Sequence, residues 1–340
     1  MNRNILLYSF VLFISTLLCA CNSENKPNPQ SPKSNSTTIK EVENVPVFME
    51  DSAYEYIQQQ VDFGPRVPGT LTHKKCGDYL VQKLKSFGPN SPEVSEQNST
   101  AKTFDNFTIP VRNIIASFNP KHSNRILLAA HWDTRPFAEM DVELKNKPID
   151  GANDGASGVG VLLEIARQLA IEKPEIGVDI IFFDAEDWGD TTGATPDSYC
   201  LGSQYWAQNP HVPNYTANFG ILLDMVGGKN ALFAIEENSW KMASTTVSTV
   251  WSTAQKLGFG DMFINQKRGP IIDDHYYVML YRRFPMVDII NYDPDSYSRF
   301  GHFWHTHQDN MFWISPKTLK AVGQTVLQVV YQENANLTQK

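Results

Sequence analysis

The chain has 340 residues, 41% hydrophobic and 19% charged, proportions that exclude a wholly disordered protein and allow one large α/β domain or two smaller ones. Its formal net charge is -8 and no dense Lys/Arg stripe runs through it, which excludes the basic footprint that nucleic-acid phosphates require.

Arg3 precedes an apolar run from Ile5 to Leu18. The run is short for a bilayer span and shaped like a signal-peptide core, so residues 1–20 are expected to be a leader. It ends in Leu18-Cys19-Ala20-Cys21, which resembles a bacterial lipobox with Cys21 as the lipid-modified first residue; ordinary cleavage nearby is the alternative. Residues 21–45 are rich in Asn, Ser and Pro and bury too little surface to offset their ordering entropy, so they read as a tether. The expectation is a membrane-anchored lipoprotein facing the periplasm of a Gram-negative bacterium, with 46–340 as a single catalytic domain. That domain keeps only Cys76 and Cys200, which make no disulfide framework and lack the spacing of a structural zinc site. They read as buried small hydrophobes, with a pairing between them left open.

Helices are expected over 51–61, capped by Asp51 or Ser52, and over 70–86, capped by Thr70 or Thr72 and closed by Gly88. Between them Phe63-Gly64-Pro65-Arg66-Val67-Pro68-Gly69-Thr70 is rich in turn formers. Residues 103–118 read as one or two strands, with Pro110 favouring an edge or bulge. Four apolar runs then end in polar residues: 126–130 in His131, 178–183 in Asp184-Ala185-Glu186-Asp187, 219–223 in Asp224, and 286–290 in Asn291. Such runs are central strands covered on both faces, and helices are expected between and after them over 157–170, 240–257 and 316–331. The predicted fold is a three-layer α/β sandwich with a mixed, largely parallel twisted sheet. Ligands bind such sheets beyond the carboxyl ends of the strands, where the metal-seeking residues cluster.

Five blocks carry the chemistry: His131-Trp132-Asp133-Thr134, Gly151-Ala152-Asn153-Asp154-Gly155-Ala156-Ser157-Gly158, Asp184-Ala185-Glu186-Asp187, Leu223-Asp224-Met225 and Trp304-His305-Thr306. Singly, each has a plainer reading: Asp-Gly as a turn, a strand-end His as a hydrogen-bonded structural residue, adjacent acids as solvated surface. Together they offer zinc imidazole and carboxylate ligands, with a neighbouring acid as base. Glu186 and Asp187 point to opposite faces of an extended chain, which suits two roles better than one.

In this order the blocks resemble the zinc aminopeptidase superfamily that also contains glutaminyl cyclases, from about residue 46 to the end. Gly64-Pro65-Arg66-Val67-Pro68-Gly69, His131-Trp132-Asp133-Thr134-Arg135-Pro136-Phe137, Asp273-Asp274-His275 and Phe303-Trp304-His305-Thr306 resemble the cyclase branch, and Asp184 to Gly189 its bacterial members. The resemblance implies zinc held by Asp154, Asp187 and His305, proton transfer by Glu186, and an acidic relay through Asp224 and Asp273. It also implies a pocket walled by Trp304 and Trp188, and peptides or proteins with N-terminal Gln as substrates. Asp187 stands where animal cyclases usually carry Glu. The rival within the superfamily is a two-zinc aminopeptidase, with His131, Asp154 and Asp224 on one metal and Asp154, Asp187 and His305 on the other. A catalytically silent binding module on the same scaffold is a third reading. Trp132, Trp206, Trp240 and Trp313 read as packing residues, Arg135 as a loop anchor, and Asp274 and His275 as supports for the backbone around Asp273. The sequons at Asn98, Asn106 and Asn214 carry little weight if the source is bacterial.

Overall fold

Three of the four apolar runs that end in polar residues, 126–130, 178–183 and 219–223, lie at the centre of a sheet, as their lack of alternation requires. The fourth, 286–290, was expected to be central but is an edge strand, its residues buried all the same. The computed structural model describes residues 45–293 and 296–338. In chain order its elements begin with α1 (Glu50–Val61), α2 (Leu71–Lys85), β1 (Glu93–Lys102), β2 (Thr108–Phe118), β3 (Arg125–His131), α3 (Ala156–Ile171) and β4 (Gly177–Phe183). They continue with α4 (Leu201–Gln208), β5 (Phe219–Asp224), β6 (Phe233–Ile235), α5 (Glu237–Lys256), β7 (Phe263–Lys267), α6 (Asp274–Arg282), β8 (Met286–Ile290) and α7 (Pro316–Thr338). The expected leader at 1–20, Cys21 and, but for Val45, the tether lie outside the described residues. Among the described residues no helix is long and apolar enough to cross a membrane.

Six strands form one sheet in the order β1-β2-β4-β3-β5-β8. Strands β4, β3, β5 and β8 run parallel, while β2 joins β4 antiparallel and carries β1 as an antiparallel edge. Alternation along β3 separates the two faces. Ile126, Leu128 and Ala130 enter a core with residues of α1, α3 and α7; Leu127 and Ala129 enter a second core with Trp206 of α4 and Val278 of α6. Every residue of β3 and β4 is buried. This is the expected mixed α/β sandwich.

Differences from the sequence reading have local causes. Strand β1, Glu-Val-Ser-Glu-Gln-Asn-Ser-Thr-Ala-Lys, was not expected, because an edge strand with exposed faces carries no hydrophobic pattern. Pro110 lies in the half of β2 that pairs with β1 alone, so its missing N–H interrupts no ladder toward β4. Thr70 does cap α2, accepting from the His73 amide. In α1, however, Met49 occupies the cap without a side-chain bond, and Asp51 and Ser52 fall inside the first turn. That start is set by packing: Phe48 is fully buried and the Met49 amide donates to Glu164.

Helix α3 begins where the Asp154 turn ends, and two glycines let it sit there. Gly155 has φ +96, and a Cβ on it would lie 2.5 Å from the Asp133 carbonyl oxygen. A Cβ on Gly158 would collide with the Leu223 carbonyl oxygen. The close approach brings the Asp154 turn against the carboxyl ends of β3 and β5.

Candidate metal and catalytic centre

The strand ends converge as expected. His131 closes β3 and Asp224 closes β5, while Glu186 and Asp187 follow β4 by three and four residues. Asp154 precedes α3, Asp273 caps α6 by accepting from the Asp274 amide, and His305 lies on the loop before α7. Ala185, Met225 and His305 adopt φ of +54, +49 and +53, a left-handed conformation uncommon outside glycine and concentrated at functional positions.

One donor atom each from Asp154, Asp187 and His305 lies within 4.8 Å of the others. His305 Nε2 is 3.3 Å from Asp187 Oδ1 and 3.8 Å from Asp154 Oδ2, and Asp187 Oδ2 is buried without a hydrogen-bond partner. His305 Nδ1 is taken by Glu139 Oε1 at 2.6 Å, which leaves Nε2 to face the carboxylates. A carboxylate on the far nitrogen of a ligating histidine is the usual arrangement around metals. Two carboxylates and an imidazole are a donor set that zinc takes with a position left for substrate, so these residues fit the metal.

Around that group the backbone is held by buried ions. Asp133 accepts from the amides of both Glu186 and Asp187, at 3.0 and 3.1 Å. Arg135, expected as a loop anchor, is fully buried and donates to Glu139, to Asp187 Oδ1 and to the carbonyls of Asp187 and Gly189. Burial raises the Glu139 carboxyl, but hydrogen bonds from His305 and Arg135 outweigh it and hold Glu139 below its ordinary value.

His131 Nε2 lies 3.0 Å from Asp154 Oδ1 and 3.2 Å from Asp224 Oδ1, so a second group able to hold a metal shares Asp154 with the first. Glu186, Asp273 and Cys200 form a third, in which the Cys200 thiol donates to Glu186 Oε1 at 3.3 Å. Burial lifts the Glu186 carboxyl well above its ordinary value; His131 opposes the shift, and Asp187 and Asp273 add to it. Burial and then Asp224 push Asp273 up to about 6. Behind Asp273, His275 is more than a backbone support. Its Nε2 meets Glu236 at 3.1 Å and its Nδ1 lies 3.7 Å from Asp288, all three fully buried. Burial would raise Glu236, yet hydrogen bonds from His275 and Ser239 hold it at about 2.

Asp154, Glu186, Asp187, Asp224, Asp273 and His305 floor a cavity of about 410 Å³ whose apolar wall includes Trp304, Phe300, Tyr292, Ile271 and Met225. Trp304 stacks on His305, with ring centroids 3.5 Å apart, as expected of a pocket wall. Trp188 is corrected: it is absent from the lining and packs on Phe107, with Ile109, Val111 and Leu201 nearby. It stands between Asp187 and Gly189, whose carbonyls both accept from Arg135. Trp132 and Trp206 are buried as expected and Trp313 packs on Phe303, whereas Trp240 is 36% exposed beneath Lys267. Cys76 and Cys200 are buried and unpaired.

Several contributors escaped the sequence reading. Asp133 stood inside a recognised block without a role, and Cys200 read as mere packing. Glu139 and Asp309 belong to no motif, although Asp309 follows His305 by only four residues. Asp309 accepts from the Asn153 and Asp154 amides at 2.7 and 2.9 Å. Burial and Asp154 nonetheless push its carboxyl up to about 7.

Carboxylates and imidazoles gathered beyond the strand ends of a mixed sheet define a zinc exopeptidase-like fold. The sequence profile of peptidase family M28 matches residues 113–330, and the chain belongs to that family. A Zn-dependent exopeptidase from Parabacteroides distasonis is 55% identical, with a TM-score of 0.82 over 85% of this chain and 99% of that one. Tannerella forsythia glutaminyl cyclase is 52% identical, with a TM-score of 0.81 over 84% of this chain and 99% of that one. Glutaminyl-peptide cyclotransferase from Gloydius blomhoffii is 26% identical over 307 residues, 80% of this chain and 77% of that protein.

Proposed function

We infer that the chain is a zinc-dependent glutaminyl cyclase, converting N-terminal glutamine of peptides and proteins to pyroglutamate with release of ammonia. One observation carries the reading: Asp154, Asp187 and His305 converge at the floor of a small apolar-walled cavity with Glu186 beside them. Similarity to glutaminyl cyclases over most of the chain supports it.

The attacking α-amine and the attacked γ-carboxamide belong to one residue, so the enzyme gains most by holding a near-attack geometry. Asp154, Asp187 and His305 would hold the zinc, which would supply a Lewis acid for the γ-carbonyl. Trp304, stacked on His305, closes one side of the pocket and excludes water. Glu186 takes the proton of the attacking amine and returns it to the leaving nitrogen; its burial raises its basicity toward that task. Asp273 and Asp224, buried beside it, form the relay that shares the proton.

The second reading, a two-zinc aminopeptidase, has its own observation: His131, Asp154 and Asp224 are also arranged to hold a metal. A peptide beginning with Gln separates the two. The cyclase releases ammonia and leaves the peptide blocked at its N-terminus; free glutamine as the main product would establish the peptidase instead.

The Cys21 anchor and a periplasm-facing location belong to the same proposal and rest on Leu18-Cys19-Ala20-Cys21. Expressed with its full leader, the wild type partitions with membranes and Cys21→Ala appears in the soluble fraction. Equal partitioning of the two would remove the anchor.

A further inference from the structure

The turn that carries Asp154 is gripped by two buried side chains, a guanidinium and a carboxyl group. From one side, Arg66 donates through Nε to the Trp132 carbonyl at 3.1 Å. Its Nη1 and Nη2 donate to the Asp150 and Gly151 carbonyls, each at 2.7 Å. From the other, the Asp309 carbonyl accepts from the Ala152 amide at 3.3 Å, and its two carboxylate oxygens accept from the Asn153 and Asp154 amides. Five consecutive residues, 150 to 154, are thus fixed by two carbonyls on Arg66 and three amides on Asp309. Both side chains are 0% exposed.

We propose that Arg66 and Asp309 are a paired positioning clamp that presets the Asp154 carboxylate for zinc. The inference rests on the zinc reading above. The geometry also couples two ligands, because the loop that delivers His305 supplies, four residues later, the group that holds Asp154. A guanidinium forks across adjacent carbonyls and a carboxylate spans adjacent amides, so neither Lys nor Asn reproduces its half of the grip. With the clamp intact, the turn does not reorganise when the metal arrives, which conserves affinity.

The test is a zinc titration of the full chain, stripped of metal, against a chromogenic chelator, using wild type, Asp309→Asn and Arg66→Lys. Asp179→Asn is the control: it disturbs the Arg125–Asp179–Tyr215 cluster at the opposite end of the sheet and so lowers stability without touching the turn. Asp309→Asn and Arg66→Lys raise the zinc Kd by about 10–100-fold and change the visible spectrum of the cobalt-loaded protein, whereas Asp179→Asn changes neither. Folded variants with wild-type Kd and spectrum overturn the clamp, as does an equal loss in Asp179→Asn. If Asp309→Asn does not fold, Arg66→Lys decides; if neither folds, the pair serves the fold and the proposal falls. A wild type without tight zinc overturns the zinc reading, and the clamp with it.

Discussion

Glu186→Gln protein folds and keeps its zinc but turns over a Gln-initiated peptide roughly 100- to 10,000-fold more slowly, the range of a lost general base. The replacement is isosteric, and the Glu186 main chain is held independently of its side chain by Asp133 and by the Cys200 amide. Asp154, Asp187 and His305 therefore keep their positions. What disappears is an acceptor for the amine proton, placed beside Asp273 and Cys200 within reach of the cavity floor. The loss falls on kcat with KM little changed, because the group acts on a proton and not on binding. Steady-state kinetics with zinc analysis of the same sample makes the comparison. Turnover within a fewfold of wild type would assign the base to another residue.

Asp187→Ala acts one step earlier and removes the metal. Asp187 Oδ1 faces His305 Nε2 and Arg135, while Oδ2 is buried and bare. Deleting the side chain takes away a ligand and leaves Arg135 with Glu139 as its remaining carboxylate. Zinc affinity falls by about 100-fold or more, and cyclisation falls to background at ordinary zinc concentrations. Asp187→Glu retains metal and activity, since either acid can ligate. Metal content after gel filtration reads the result directly: the wild type holds zinc through the column and Asp187→Ala does not. Stoichiometric zinc in Asp187→Ala would show that the ion is held elsewhere, with His131, Asp154 and Asp224 the first group to test.

Legibility followed burial. Strands β3, β4, β5 and β8 were plain because burial on both faces forces continuous apolar runs, and the catalytic candidates stand where those runs stop. Strand β1 was invisible because its side chains face solvent. Helix α6 is not among the helices the sequence predicts, although Asp273, which caps it, is among the expected relay acids. The residues that orient the centre were the least legible. Glu139 reaches His305 across 166 positions and Asp309 reaches Asp154 across 155, and no local period records so distant a partnership. Arg66 shows the intermediate case. Its Gly-Pro-Arg-Val-Pro-Gly setting drew attention, while its task, collecting carbonyls from 132, 150 and 151, depends on the folded turn.

The twisted main chain at Ala185, Met225 and His305 bears on how this enzyme tolerates change. Each left-handed L-residue costs about 1 kcal/mol, and all three neighbour or supply a chemistry-bearing group. Gly would relax the main chain at 185 and 225, but both side chains are buried in apolar clusters, so at Met225 the exchange would empty a packed position at a cost larger than the strain it relieves. The same exchange loosens the main chain next to Glu186 and Asp224, so the strain persists where it fixes the direction of two acids.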